Sequence, residues 1–217
     1  MTLARTERDA LCDTALLVGE DEPTLCGEWT VKDLVVHLIL RESSPASLGL
    51  VVSALSGALD AASRRLAARD FSGRGSGGHA SLVERLRGGP PRYSPFAIPR
   101  VDALLNGLEF FVHHEDIRRA QPAWAPRELS DRAQQQVWKG VCAAAPRLLR
   151  RAPVGVQLEC DDLHTRATVH AAETSVLVVG APAEVTMFVF GRKAHADVEL
   201  RGPDDAVAAL RNTDLGV

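Results

Sequence analysis

Residues 101–120 read VDALLNGLEFFVHHEDIRRA, and this stretch decides how the N-terminal part of the chain folds. At about 100° per residue, its apolar side chains share one face of a helix. The members of this face are Val101, Leu104, Leu105, Leu108 and Val112. Because Gln121 and Pro122 end the pattern, we predict one amphipathic helix over 101–120 that packs against other helices.

The same stretch holds the densest cluster of ionisable residues in the chain. Glu109 and His113 lie about 40° apart at the edge of the apolar face, so both point toward the helical core. His114 lies roughly opposite that face, and we expect it in solvent or at a domain junction. A carboxylate beside a core needs a partner, so the Glu109/His113 pair indicates either two converging metal ligands or an ion pair within the helix.

A third metal ligand has to come from another helix, and His37 is the natural candidate. It follows Thr30, which we predict as a helix N-cap, with Asp33 as the acidic partner of a capping box. Trp29 is expected to pack over the start of that helix. Three protein ligands would leave the fourth position of a tetrahedral zinc ion open to water or a thiolate.

The other elements before residue 151 are predicted from periodicity, helix propensity and the placement of Gly and Pro. They are helices over 3–18, 45–69, 80–87 and 130–150, and loops over 71–78 and 88–99. This number of helical segments predicts a bundle.

The composition changes near Pro153, where β-branched and alternating segments begin. The pattern predicts strands of a meander over 154–160, 165–171 and 175–179, a further strand over 198–201, and a helix over 203–211. The segment 183–190 fits a helix or a strand. We therefore predict an α+β protein with a helical bundle, 1–150, followed by a small α+β domain, 151–217.

The overall composition excludes several classes of protein. A net charge of -3 with 46% hydrophobic residues gives no reason to expect nucleic acid as a partner. The four cysteines form no CxxC pair and the first residues are too charged for a signal peptide, so we expect a reduced, cytoplasmic location. The apolar segments fall short of the roughly 18 residues that a membrane span needs.

Two windows of the sequence, 27–38 and 109–120, resemble the mycothiol-dependent maleylpyruvate isomerase family, which is part of the DinB-like metal-binding bundles. In that family a helix start of the form Trp-Thr/Ser-x-x-Asp-x-x-x-His supplies one ligand, and a Glu-x3-His helix supplies two more. The resemblance implies that His37, Glu109 and His113 bind a divalent cation, most often zinc. It also implies mycothiol as a cosubstrate.

The resemblance carries further expectations for the C-terminal part. Many members of the family have a small C-terminal domain that is similar to sterol-carrier proteins. The isomerases use an arginine from it, and Arg192 is our candidate, with Arg201 almost as suitable. The residues from His114 to Asp116 depart from the isomerase pattern, so the substrate need not be maleylpyruvate. Asp116 could orient a ligand or pair with Arg119.

Three hypotheses follow. The first is a metal- and thiol-dependent transferase or isomerase that acts on a small electrophile, with the thiol and the electrophile as its small-molecule partners. The second is a non-catalytic protein that binds a metal or a small ligand. The third is a helical interaction module without a metal.

Overall fold

A computed structural model describes residues 2–43, 78–160 and 162–215 of the chain. It is an α+β protein, as predicted, with these elements: α1 (Leu3–Val18), α2 (Val31–Ser43), α3 (Gly78–Arg87), α4 (Pro99–Leu105), α5 (Gly107–Arg119), α6 (Asp131–Leu148), β1 (Gly155–Cys160), β2 (Thr165–His170), β3 (Ser175–Val179), α7 (Pro182–Val189), β4 (Glu199–Arg201) and α8 (Asp204–Asn212). The predicted helix over 45–69 and most of the loop over 71–78 lie outside the described residues. Among those that are described, no helix is long and apolar enough to cross a membrane.

The chain divides into two compact units, 1–125 and 126–217. The sequence-based boundary near 151 differs from this division by one helix, because α6 shares a core with the strands of the second unit. Trp138, Val141 and Ala145 of α6 belong to that core together with Val156 and Leu158 of β1. The boundary of a separately folding domain therefore stays a prediction.

The first unit buries its core between α1, α2, α3 and α5. The start of α2 confirms the predicted capping box. The Thr30 backbone N–H donates to Asp33 Oδ2 at 3.1 Å, and the Asp33 N–H donates to Thr30 Oγ1 at 3.3 Å. These two bonds satisfy backbone donors that a helix start otherwise leaves open, at the beginning of the helix that carries His37.

The prediction of one helix over 101–120 is wrong at its middle, where α4 ends at Leu105 and α5 begins at Gly107. Asn106 between them is fully buried, and its side-chain amide donates to Glu42 Oε1 and Asp102 Oδ1, both at 2.9 Å. Asn and Gly have low helix propensity. Side-chain hydrogen bonds at Asn106 thus compete with a continuous helix.

The sheet of the second unit has the strand order β2-β1-β3-β4, so the predicted meander is wrong. β1 pairs antiparallel with β2 on one side and parallel with β3 on the other. The connection between β2 and β3 passes over Gly155, where an added Cβ would lie 3.0 Å from the backbone nitrogen of Ala172 and 3.0 Å from the Ser175 Cβ. A hydrogen atom at this position permits the close approach.

The ambiguous segment 183–190 lies mostly in a helix, α7, whose residues are all buried. Burial on every side removes the amphipathic periodicity that distinguishes a helix from a strand. The sequence pattern could not decide this element for that reason.

Candidate metal centre

The structure brings His37 of α2 together with Glu109 and His113 of α5. One ligand-type atom from each residue lies within 4.8 Å of the other two. His113 Nε2 is 3.3 Å from Glu109 Oε1, and the rings of His37 and His113 meet edge to face with centroids 5.6 Å apart. The two-helix arrangement that the sequence suggested is therefore present in the first unit.

His37 is held as a neutral imidazole. Burial, followed by the nearby charge of His113, lowers the pKa of His37 to about 4. The Trp29 ring lies 4.9 Å from the His37 ring, centroid to centroid, and covers it at the start of α2. A neutral imidazole has the nitrogen lone pair that a metal ligand needs.

Glu109 is held as a carboxylate. Burial by itself would raise the pKa of Glu109, but the Arg41 guanidinium and the hydrogen bond from His113 lower it below its usual range. Arg41 Nε lies 3.3 Å from Glu109 Oε1, and Arg41 also donates to Asn106 Oδ1. Glu109 thus brings a negative charge to the site, with the Arg41 cation beside it.

His113 makes contacts through both ring nitrogens. Its Nδ1 lies 3.0 Å from Asp116 Oδ2, and the Asp116 side chain is fully buried. Burial lowers the pKa of His113, but the hydrogen bonds to Asp116, Cys26 and Glu109 outweigh it and raise the pKa well above its usual value. A carboxylate on one imidazole nitrogen orients the other nitrogen, as in many metal sites.

The 3.0 Å contact with His113 Nδ1 fits the orienting role, which was one of two alternatives predicted for Asp116. The other alternative gave Asp116 an ion pair with Arg119. Arg119 Nε donates to Glu115 Oε2 at 2.6 Å, and both of these side chains are fully buried. The Arg119 guanidinium also lies 5.0 Å from the centre of the Trp124 ring.

Cys26 was not singled out from the sequence, yet it lies at the site. Its Sγ is 3.1 Å from Asp116 Oδ2 and 3.6 Å from His113 Nδ1. The signal in the sequence was its place next to the 27–38 window, only three residues before Trp29. Without the fold, nothing in that spacing brings Cys26 to α5.

The prediction that His114 lies in solvent or at a domain junction is wrong. His114 is buried, with Nδ1 3.0 Å from Glu7 Oε2 and Nε2 2.9 Å from Thr14 Oγ1. A helical wheel describes α5 in isolation. In the structure, α1 covers the face of α5 that carries His114 and supplies polar partners. The contacts with Glu7 and Thr14 offset the cost of burying the imidazole.

The two candidate arginines lie in the second unit. Arg192 donates to the Phe190 carbonyl at 2.7 Å. Arg201 is half exposed on β4 and pairs with Glu199 at 2.6 Å and with Glu159 at 4.0 Å.

The residues at the centre fit a divalent cation. Two imidazoles and one carboxylate are a donor set that zinc accepts, and they match catalytic sites that keep a fourth position open. His37 is neutral, Glu109 is charged, and Asp116 orients His113 Nε2 toward Glu109. The 3.3 Å contact between Glu109 and His113 also fits the ion pair that was the alternative to a metal.

Comparison with known proteins gives a likeness of fold. No protein-family profile and no curated protein matches the chain. The crystal structure of a histidine-to-alanine mutant of the mycothiol-dependent maleylpyruvate isomerase aligns with a TM-score of 0.55 at 16% identity, over 93% of this chain and 92% of that one. The likeness establishes a shared fold. A second crystal structure of the mycothiol-dependent maleylpyruvate isomerase covers the same shares with a TM-score of 0.47 at 16% identity.

Proposed function

We propose that this chain is a divalent-metal-dependent enzyme that uses a low-molecular-weight thiol to transfer or isomerise a small electrophile. Zinc is the proposed metal, and mycothiol is the proposed thiol. The observation that carries the proposal is the convergence of His37, Glu109 and His113 in a fold shared with a mycothiol-dependent isomerase.

The residues of the first unit have separate roles in this proposal. A zinc ion held by His37, Glu109 and His113 would stabilise a thiolate at neutral pH. Asp116 keeps the His113 ring in one orientation through its 3.0 Å contact with Nδ1. Arg41, 3.3 Å from Glu109, adds positive charge that favours an anionic ligand at the centre.

The proposed anion-binding residue is Arg192, with Arg201 as the alternative. Arg201 already pairs with two carboxylates, Glu199 and Glu159, and a substrate anion would have to compete with both. Arg192 donates to the Phe190 carbonyl at 2.7 Å.

The remaining parts of the proposal concern architecture and location. We assign the first unit to the DinB-like bundles and the C-terminal sheet and helices to a sterol-carrier-like domain beginning near 151. We place the protein in the cytoplasm, where small thiols remain reduced.

The proposal is tested by thiol binding followed by chemistry. Cobalt(II) replaces zinc in the Cys26→Ser variant, so that a new sulfur-to-cobalt absorption band reports only an added thiol. We expect mycothiol to produce this band and S-methylated mycothiol to leave the spectrum unchanged. Turnover of maleylpyruvate and other small electrophiles is then followed by chromatography of the products.

Matched variants complete this experiment. His37→Ala should lose the band, whereas His170→Ala on β2 should keep it. A cobalt-loaded protein whose spectrum responds to none of the thiols tested would contradict the enzyme proposal.

The second candidate is a non-catalytic protein that binds a metal or a small ligand. A cavity of about 340 Å³ in the second unit favours it, and Arg127, Gln134 and Asp162 are among the residues that line this cavity. This candidate predicts a metal without an exchangeable ligand, and a marked loss of stability on chelation.

A further inference from the structure

A second set of metal-ligand side chains lies on the opposite edge of the His113 ring. Cys26 Sγ, His113 Nδ1 and Asp116 Oδ2 form a triangle with sides of 3.6, 3.0 and 3.1 Å. The first set uses His113 Nε2, which is 3.3 Å from Glu109 Oε1. One imidazole therefore belongs to two triangles of donors, through different nitrogens.

The second triangle has the dimensions of a cation site. Zinc binds sulfur at about 2.3 Å and nitrogen or oxygen at about 2.0–2.2 Å, so tetrahedral geometry separates the ligand atoms by about 3.4–3.6 Å. The sulfur–nitrogen side, 3.6 Å, already has that length. The two sides that end on Asp116 are shorter, at 3.0 and 3.1 Å, and an opening of about 0.5 Å would match a bound ion.

The loop that carries Cys26 is held in place by the backbone. The N–H of Leu25 donates to the Asp116 carbonyl at 3.0 Å, and the N–H of Cys26 donates to Thr24 Oγ1 at 3.2 Å. Gly27 follows with φ +66°, a conformation that glycine adopts without strain. Cys26 thus reaches α5 through a preorganised turn, and little ordering is needed for it to act as a ligand.

The donor set also determines which ion fits. A thiolate selects thiophilic ions such as zinc and cadmium over magnesium or calcium. The Asp116 carboxylate is fully buried, while His113 is 13% exposed and Cys26 is partly exposed, which leaves a route for an ion. Thiolate and carboxylate together neutralise a divalent charge in a buried position.

We propose that Cys26, His113 Nδ1 and Asp116 form a second cation site that selects a thiophilic divalent ion. Binding at the second site releases the thiol proton of Cys26 and the Nδ1 proton of His113 to solvent. When both sets are occupied, the Nε2 proton is released as well, and His113 would bridge the two ions as an imidazolate. The second site stands on the Cys26 triangle and does not require the proposed reaction.

The test uses the full chain, stripped of metal by a chelator and titrated separately with cobalt(II) and cadmium(II). Sulfur-to-metal charge transfer in the near ultraviolet reports an ion on Cys26, and equilibrium dialysis gives the number of ions per chain. We expect the band in the wild type, its loss in Cys26→Ser, and its retention in Cys142→Ser and His37→Ala. Circular dichroism verifies that each variant is folded.

The outcomes separate this proposal from the proposed function. Two ions with the band support both sites, whereas one ion with the band supports the second site and contradicts the first. One ion without the band contradicts the second site and supports the first, and no bound ion contradicts both. A band that survives in Cys26→Ser also overturns the assignment. In the His37→Ala background, where the first site is removed, Asp116→Asn keeps the shape of the side chain and should weaken cadmium binding about tenfold or more.

Discussion

Replacing Asp116 tests how the buried carboxylate supports the metal centre. Asp116 Oδ2 lies 3.0 Å from His113 Nδ1, and its side chain has no exposed surface. A hydrogen bond to a charged group contributes about 1.5–3 kcal/mol, which corresponds to roughly 10–100-fold in affinity. Orienting residues around metal ligands have effects of the same size.

We therefore expect zinc affinity to fall about 100-fold in Asp116→Ala and about tenfold in Asp116→Asn, whose amide oxygen still accepts the hydrogen bond. The Cys26→Ser background removes the second site from the measurement. Competition with a chromophoric chelator at one fixed alkaline pH gives the affinities. Asp13→Asn, on the exposed surface of α1, serves as the control and should bind zinc like its parent. Affinities for Asp116→Ala within twofold of its parent would refute the orienting role.

Three further predictions concern the framework around the centre. Arg119→Met leaves the Glu115 carboxylate with one fewer cation in a fully buried position, and should lower the free energy of unfolding in urea by about 3–5 kcal/mol. Arg87→Met removes an exposed ion pair with Asp13 and should change the free energy of unfolding by less than about 1 kcal/mol. Similar losses for both variants would contradict the larger stabilisation expected from the buried pair. Thr30→Ala removes a helix cap and should lower the free energy of unfolding by about 1 kcal/mol in the same assay. An unchanged free energy of unfolding would contradict the capping bond. Burial raises the pKa of Cys12 to about 12, so its thiolate is scarce until the pH approaches that value, and mass spectrometry should find it unalkylated in the folded protein at neutral pH.

Local sequence signals predicted the elements whose determinants lie within a few residues. The capping box at Thr30 and Asp33 needs only a spacing of three residues, and the predicted start of α2 is confirmed. The first helix, predicted over 3–18, matches α1 for the same reason, since its apolar residues recur on one face. The overall α+β class followed from these local patterns.

Features that depend on distant parts of the chain were not predictable from the pattern. The burial of His114 depends on Glu7 and Thr14, which lie about a hundred positions away in α1. The parallel pairing of β1 with β3 depends on a crossing over Gly155. In both cases a tertiary contact overrides what the local periodicity indicates.

The candidate site falls between these two cases. The spacing of Glu109 and His113 on one helix predicts their convergence, and the structure places His37 beside them. Cys26 lies in a loop, where periodicity carries no information, and a hydrogen bond from Leu25 to the Asp116 carbonyl ties that loop to α5. Only the fold reveals that His113 faces two sets of donors.

The metal centre is tested by measuring metal content by elemental analysis of untagged protein in the Cys26→Ser background, where only the first site remains. We expect about one zinc ion per chain, lost when His37→Ala or Glu109→Gln is added and retained with His170→Ala. Protein that binds no zinc after reconstitution, or that keeps its zinc when His37 is replaced, would contradict a metal centre built from His37, Glu109 and His113.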